Sequence, residues 1–113
     1  MSLDVFLTLP DSATSPDTPE VFTANITHNL NKMAKAAGIY EPLWRPEEVG
    51  ISRAKQLIMP LTRGLAELKR RKEFYMLLAP SNGWGSYEGL IVFVQRYLEA
   101  CKEYPTADIV ISR

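Results

Sequence analysis

Leu3-Asp4-Val5-Phe6-Leu7-Thr8-Leu9 decides the fold. Leu3, Val5, Leu7 and Leu9 fall on one side, and Asp4, Phe6 and Thr8 on the other. Successive side chains of a strand point to opposite faces, so this period of two predicts a half-buried strand over 2–9. The rhythm returns at the far end, where Ala107, Ile109 and Ile111 alternate with Asp108, Val110 and Ser112. That pattern predicts a closing strand over 107–112. With helical patterns between them, the two strands are expected to be neighbours in one small sheet.

Working inward, residues 10–19 carry three prolines among small polar residues, the composition of a loop. Glu20–Ile26 is rich in Val, Phe, Thr and Ile and reads as a second short strand. A helix over 27–38 follows, capped by Thr27 or Asn25 and ended by Gly38. Its apolar positions, Leu30, Met33, Ala34 and Ala37, are spaced by three and four. Ile39 to Gly50 holds Pro42 and Pro46 around Leu43-Trp44-Arg45 and reads as a linker that packs through its aromatics.

The longest pattern is Ser52–Lys72. Ala54, Leu57, Ile58, Leu61, Leu65 and Leu68 share one face, with Ser52 as the expected cap. Pro60 lacks an amide donor and clashes one turn back, which predicts a bend near 60 or a restart of the helix. Gly64 on the apolar face predicts close approach of another backbone, and Lys69-Arg70-Arg71-Lys72 ends the helix. A short helical turn over Glu73–Leu78 precedes Pro80. A helix over 86–103 opens at Ser86, buries Leu90, Phe93, Val94, Tyr97, Leu98 and Cys101, and stops at Tyr104-Pro105. The sum is a single domain over 1–113. It is α+β, with three helices on one face of a small, mainly antiparallel sheet of two to three strands.

Composition narrows the functional classes. The chain has 113 residues, 46% of them hydrophobic, which suits one globular domain with its own core. Thirteen basic and thirteen acidic residues cancel, which argues against generic nucleic-acid coating. Cys101 is the one cysteine, so no intrachain disulfide forms, and a reducing, cytoplasmic setting is expected. The N-terminus lacks a basic signal-peptide region, and no apolar run reaches the roughly 20 residues of a membrane span. Without a secretion signal, the glycosylation pattern Asn25-Ile26-Thr27 carries no weight.

Two polar knots carry the chemistry. Asn25-Ile26-Thr27-His28-Asn29 opens a helix, and Asn82-Gly83-Trp84-Gly85-Ser86-Tyr87-Glu88 turns sharply into another. One histidine and one cysteine make a poor ligand set, so no metal or other cofactor is expected. There is no Gly-x-Ser-x-Gly elbow, Ser86 reads as a cap and Cys101 as a buried hydrophobe, so the reading leans away from an enzyme. A binding pocket is the better match. His28, Asn29 and Asn82 are expected to supply hydrogen bonds, and Trp84 and Tyr87 ring faces. Trp44 and Arg45 offer an aromatic with a guanidinium beside it. Stacking on an aromatic contributes about 1–3 kcal/mol per base.

The order of these motifs resembles a family of short, mostly uncharacterised proteins of bacteriophages and of bacterial genomes carrying prophage. The resemblance rests on Asn25-Ile26-Thr27-His28-Asn29, on Gly38-Ile39 and Trp44, and on Pro60-Leu61-Thr62-Arg63-Gly64-Leu65. It rests also on Asn82-Gly83-Trp84-Gly85 with Tyr87-Glu88-Gly89, and spans roughly residues 20–104. It implies no activity. It implies action on host or phage physiology in the cytoplasm of the bacterial host. The leading expectation is a non-catalytic module that sequesters a nucleotide-derived host defence signal, forms a homo-oligomer and does not bind membranes. The alternatives are a protein-binding inhibitor of a host enzyme and a hydrolase of nucleotide signals.

Overall fold

The first strand pairs with both others. In the computed structural model, which describes residues 2–9, 20–80, 83 and 85–113, β1 (Ser2–Thr8) lies between β2 (Glu20–Thr27) and β3 (Asp108–Ser112). Both pairings are antiparallel. In register, Leu3 faces Ile26, Val5 lies between Ala24 and Ile111, and Leu7 lies between Phe22 and Ile109. Leu3, Val5 and Leu7 are fully buried, while Asp4, Phe6 and Thr8 on the other face are half-buried. The alternation sorts the sheet into a core face under the helices and an outer face. The shift at Leu7/Thr8 leaves Val21 as an extra residue, a bulge that ends the pairing. The loop expected over 10–19 lies outside the described residues.

The fold is α+β, with helices laid on one face of a three-stranded antiparallel sheet. The helical segments are more broken than the sequence pattern suggests. The helix expected over 27–38 is a 3-10 turn, His28–Leu30, followed by α1 (Asn31–Ala36). Gly38, at φ 79°, ends it as expected. The Ile39–Gly50 stretch, expected to be irregular, holds α2 (Tyr40–Trp44) and a 3-10 turn, Pro46–Val49. Pro46 stands at the start of that turn, where a missing amide costs nothing.

The helix expected over 52–72 divides into three. A 3-10 turn, Ala54–Leu57, leads into α3 (Ile58–Arg70), and α4 (Lys72–Met76) follows a break at Arg71. Pro60 stands in the first turn of α3, among the amides that have no partner within the helix, so the helix restarts rather than bends. Gln56, not Ser52, holds the entry: its Oε1 accepts from the backbone amides of Ser52 and Arg53, each at 2.9 Å. α5 (Tyr87–Glu103) opens where expected, with Ser86 Oγ accepting from the Gly89 amide at 3.0 Å. Leu90, Phe93, Val94, Tyr97, Leu98 and Cys101 of α5 are buried and meet α3 and β2. Among the described residues no helix is long and apolar enough to cross a membrane.

Candidate functional site

The two polar knots meet. Gly85 has φ 101°, and a Cβ there would lie 2.7 Å from Thr27 Cγ2 and 2.9 Å from Leu30 Cγ. Only glycine fits, for backbone and packing reasons at once. The turn into α5 is therefore pressed against the opening that begins at Thr27. Thr27 caps that opening: its hydroxyl accepts from the Asn29 amide at 3.3 Å.

Beside this contact lies a hollow of about 510 Å³, bounded by His28, Asn29, Asn31 and Lys32 on one side and Leu78, Ala79 and Pro80 on the other. One wall is an imidazole, two carboxamides and an ammonium; the other is the chain running out of α4 toward the Gly83 turn. Gly83, at φ 79°, donates its amide to the Pro80 carbonyl at 3.5 Å. Asn82 and Trp84, expected to serve the site from that turn, lie outside the described residues.

His28 also belongs to an aromatic row. Its ring meets Trp44 edge-on at 6.3 Å, and Trp44 stacks on Tyr40 at 5.6 Å. Among the described residues neither His28 Nε2 nor Trp44 Nε1, both buried, has a hydrogen-bond partner. A buried polar atom without a partner costs about 1–3 kcal/mol. Of the two, His28 lines the polar hollow and Trp44 stands behind it in the core.

Several expected site residues have other duties. Trp44 is 3% exposed, so its indole is a wall of the core and not an open stacking face. Arg45 is engaged with its neighbours: Nε donates to Tyr40 Oη at 3.3 Å, and Nη1 pairs with Glu48 at 3.2 Å. The Tyr40 hydrogen bond, then the Glu48 carboxylate, raise its already high pKa. Tyr87, expected as a ring face, is buried and donates its hydroxyl to the Leu68 carbonyl at 2.8 Å, tying α5 to α3. Burial raises the Tyr87 pKa. Its ring borders a different, more apolar hollow with Lys69, Lys72 and Ile91. The structure thus brings His28 and Asn29 to the site, sets Trp44 behind them, and removes Arg45 and Tyr87 from it.

Asn31, Lys32 and the Leu78–Pro80 wall line the hollow without being among the residues expected there. The polar run His28-Asn29-Leu30-Asn31-Lys32 was there to be read as one rim around a single buried leucine. The opposite wall is set by the fold of α4 back onto α1, which no local pattern announces. Cys101 is buried in the core, and that burial pushes its thiol up to about 12. Among the described residues no group of three or more His, Cys, Asp or Glu stands together as a metal site. No protein-family model, curated protein or solved structure matches this chain.

Proposed function

We infer that the protein is a non-catalytic binding module for a small anionic, nucleotide-like molecule. The hollow at His28 carries this reading. Its volume of about 510 Å³ suits a small ligand. His28, Asn29 and Asn31 present donors and acceptors for the edge of a base or sugar, and Lys32 presents a positive charge for a phosphate. Asn82 and Trp84, outside the described residues, are the expected source of a further amide and a ring face. Joined to the resemblance to phage proteins, the reading narrows to a sponge for a nucleotide-derived signal of the bacterial host, acting in the host cytoplasm.

Calorimetric titration with cyclic nucleotides and ADP-ribose derivatives tests it, alongside mass spectrometry of small molecules that copurify with the native protein. Binding that falls at least tenfold in Lys32→Ala and Asn29→Ala supports it. Silence across the panel at high protein concentration, with nothing copurifying, sinks it. Turnover of a bound nucleotide, lost in His28→Ala, would instead establish the hydrolase.

A second reading has its own observation. Phe74, Met76 and Leu77 are exposed on and just after α4, Leu77 at 83%, beside the cations Lys69–Lys72. An apolar tip beside basic residues suits docking on an acidic host enzyme. A stoichiometric partner, pulled down by the wild type and lost with Leu77→Asp, would favour an inhibitor.

A further inference from the structure

The two edges of the sheet are treated differently. The outer edge of β3 is covered: Ile109 donates its amide to the Ser52 carbonyl at 3.0 Å, Ala54 donates to Ala107 at 2.9 Å, and Arg53 bridges Asp108. The outer edge of β2 receives no backbone hydrogen bond from any described residue. Its one charge and its bulge lie together at one end, at Glu20 and Val21. Val21-Phe22-Thr23-Ala24-Asn25-Ile26-Thr27 has no lysine, arginine or proline, the devices by which edge strands usually repel a second sheet.

α5 runs beside this edge and shares a hollow of about 340 Å³ with it. Thr23, Ala24 and Asn25 line the strand side, with Asp4 of β1 behind them. Gly89, Val92, Phe93 and Arg96 line the helix side. The outward stripe of α5 reads Glu88, Val92, Arg96, spaced by four, and Val92 is 54% exposed at its centre. Neither Glu88 nor Arg96 joins an ion pair among the described residues, although Arg96 lies over the Phe22 ring at 5.9 Å and Glu88 borders the neighbouring hollow of Lys69 and Lys72. They stand eight residues apart, about 12 Å along the helix, too far to pair with each other.

The geometry points to a twofold homodimer in which β2 pairs antiparallel with β2 of a second copy, making one continuous six-stranded sheet. The axis passes near Ala24 and Val92, the centres of the two sides of the hollow. A twofold at Val92 sets the α5 helices antiparallel, so each Glu88 faces the Arg96 of the other copy. One surface is then complementary to itself in hydrogen bonding and in charge, as an isologous interface must be. Gly89, without a side chain, lets the helices approach. This surface is distinct from the hollow at His28, and the dimer stands or falls separately from the ligand reading.

Sedimentation equilibrium over a dilution series from micromolar to sub-millimolar protein tests it. The wild type is expected to dimerise. Glu88→Arg and Arg96→Glu each set like charges across the axis twice, and each is expected to weaken the dimer about 10- to 100-fold. The double variant restores both pairs and the affinity, a rescue that a structural role within one chain would not produce. Val92→Lys is expected to give a folded monomer, with folding checked by circular dichroism. A wild type that stays monomeric throughout the series overturns the inference. So does a dimer indifferent to both charge reversals, which would have to use another surface.

Discussion

Gly83 and Gly85 share a positive φ, but only one of them is pinned by its surroundings. A Cβ on Gly83 would meet nothing within 4 Å, whereas one on Gly85 would press into Thr27 and Leu30. Gly83→Ala is therefore expected to cost about 1 kcal/mol, for the left-handed backbone alone. Gly85→Ala adds the clash and is expected to cost about 2–4 kcal/mol. Urea unfolding of the two variants isolates the contact that presses the turn into α5 onto the opening at Thr27; equal costs would show that the two do not touch. Cys101 gives a second test at this scale. Its thiol is fully buried and pushed up to about 12, and thiolate is the reactive form. A disulfide reagent at pH 8 should react with it no faster than the protein unfolds, and guanidinium should remove the protection. Immediate reaction in the native state would place Cys101 at the surface and break the α5 stripe.

At the scale of elements, the legible parts are those whose apolar period was long. The alternation of 2–9 and the stripe of α5 appear in the structure where the sequence puts them, because each is set by one uninterrupted face. The break after Arg70 was not legible, since the basic run Lys69–Lys72 continues a helical pattern through it. What turns α4 is a tertiary bond. Tyr75 is buried against α1 and α3, and its hydroxyl donates to Glu67 Oε2 at 2.6 Å, with the Ala36 carbonyl at 3.4 Å. The same packing brings Leu78–Pro80 across from His28, so half of the site was hidden with it. The bond carries a pH signature. The Tyr75 hydroxyl, then Arg70, hold Glu67 below its ordinary 4.5, and the stability this gives is lost as pH falls through the lowered value. Burial, then Glu67, push Tyr75 up to about 12, so its contribution is complete below the ordinary 10 and is lost as pH rises from there toward 12. Tyr75→Phe should thus be less stable than wild type at neutral pH, with the gap narrowing at both extremes in thermal melts taken across the range. A gap constant from acid to alkali would mean that the hydroxyl does not bind Glu67.

For the whole molecule, the decisive fact is that the central strand is the first and one of its partners is the last. Ile109 and Ile111 face the core beside Leu7 and Val5, and no local contact substitutes for them. Pairing Asp4 with Ser112 closes a long loop, so the three-stranded sheet is complete only once residues 108–112 are in place. Arg113 adds a latch: its Nη1 donates to the Trp44 carbonyl at 3.0 Å and to Glu47 at 3.1 Å. That latch steadies the backbone of the tryptophan that backs His28, which links Arg113 to the candidate site. Two changes separate strand from latch. Arg113→Ala removes the hydrogen bonds alone and is expected to cost about 1 kcal/mol while leaving a cooperative melt. Ending the chain at Ala107 removes β3 as well, with half the ladder of β1 and the apolar cover from both isoleucines. That loss is expected to reach about 3–5 kcal/mol, most of what holds a small domain together. Circular dichroism on heating should show the truncated chain with residual helix and no sharp transition. If it melts as sharply as Arg113→Ala, the core is carried by the helices, and the strand pattern that opens the sequence is not what organises the fold.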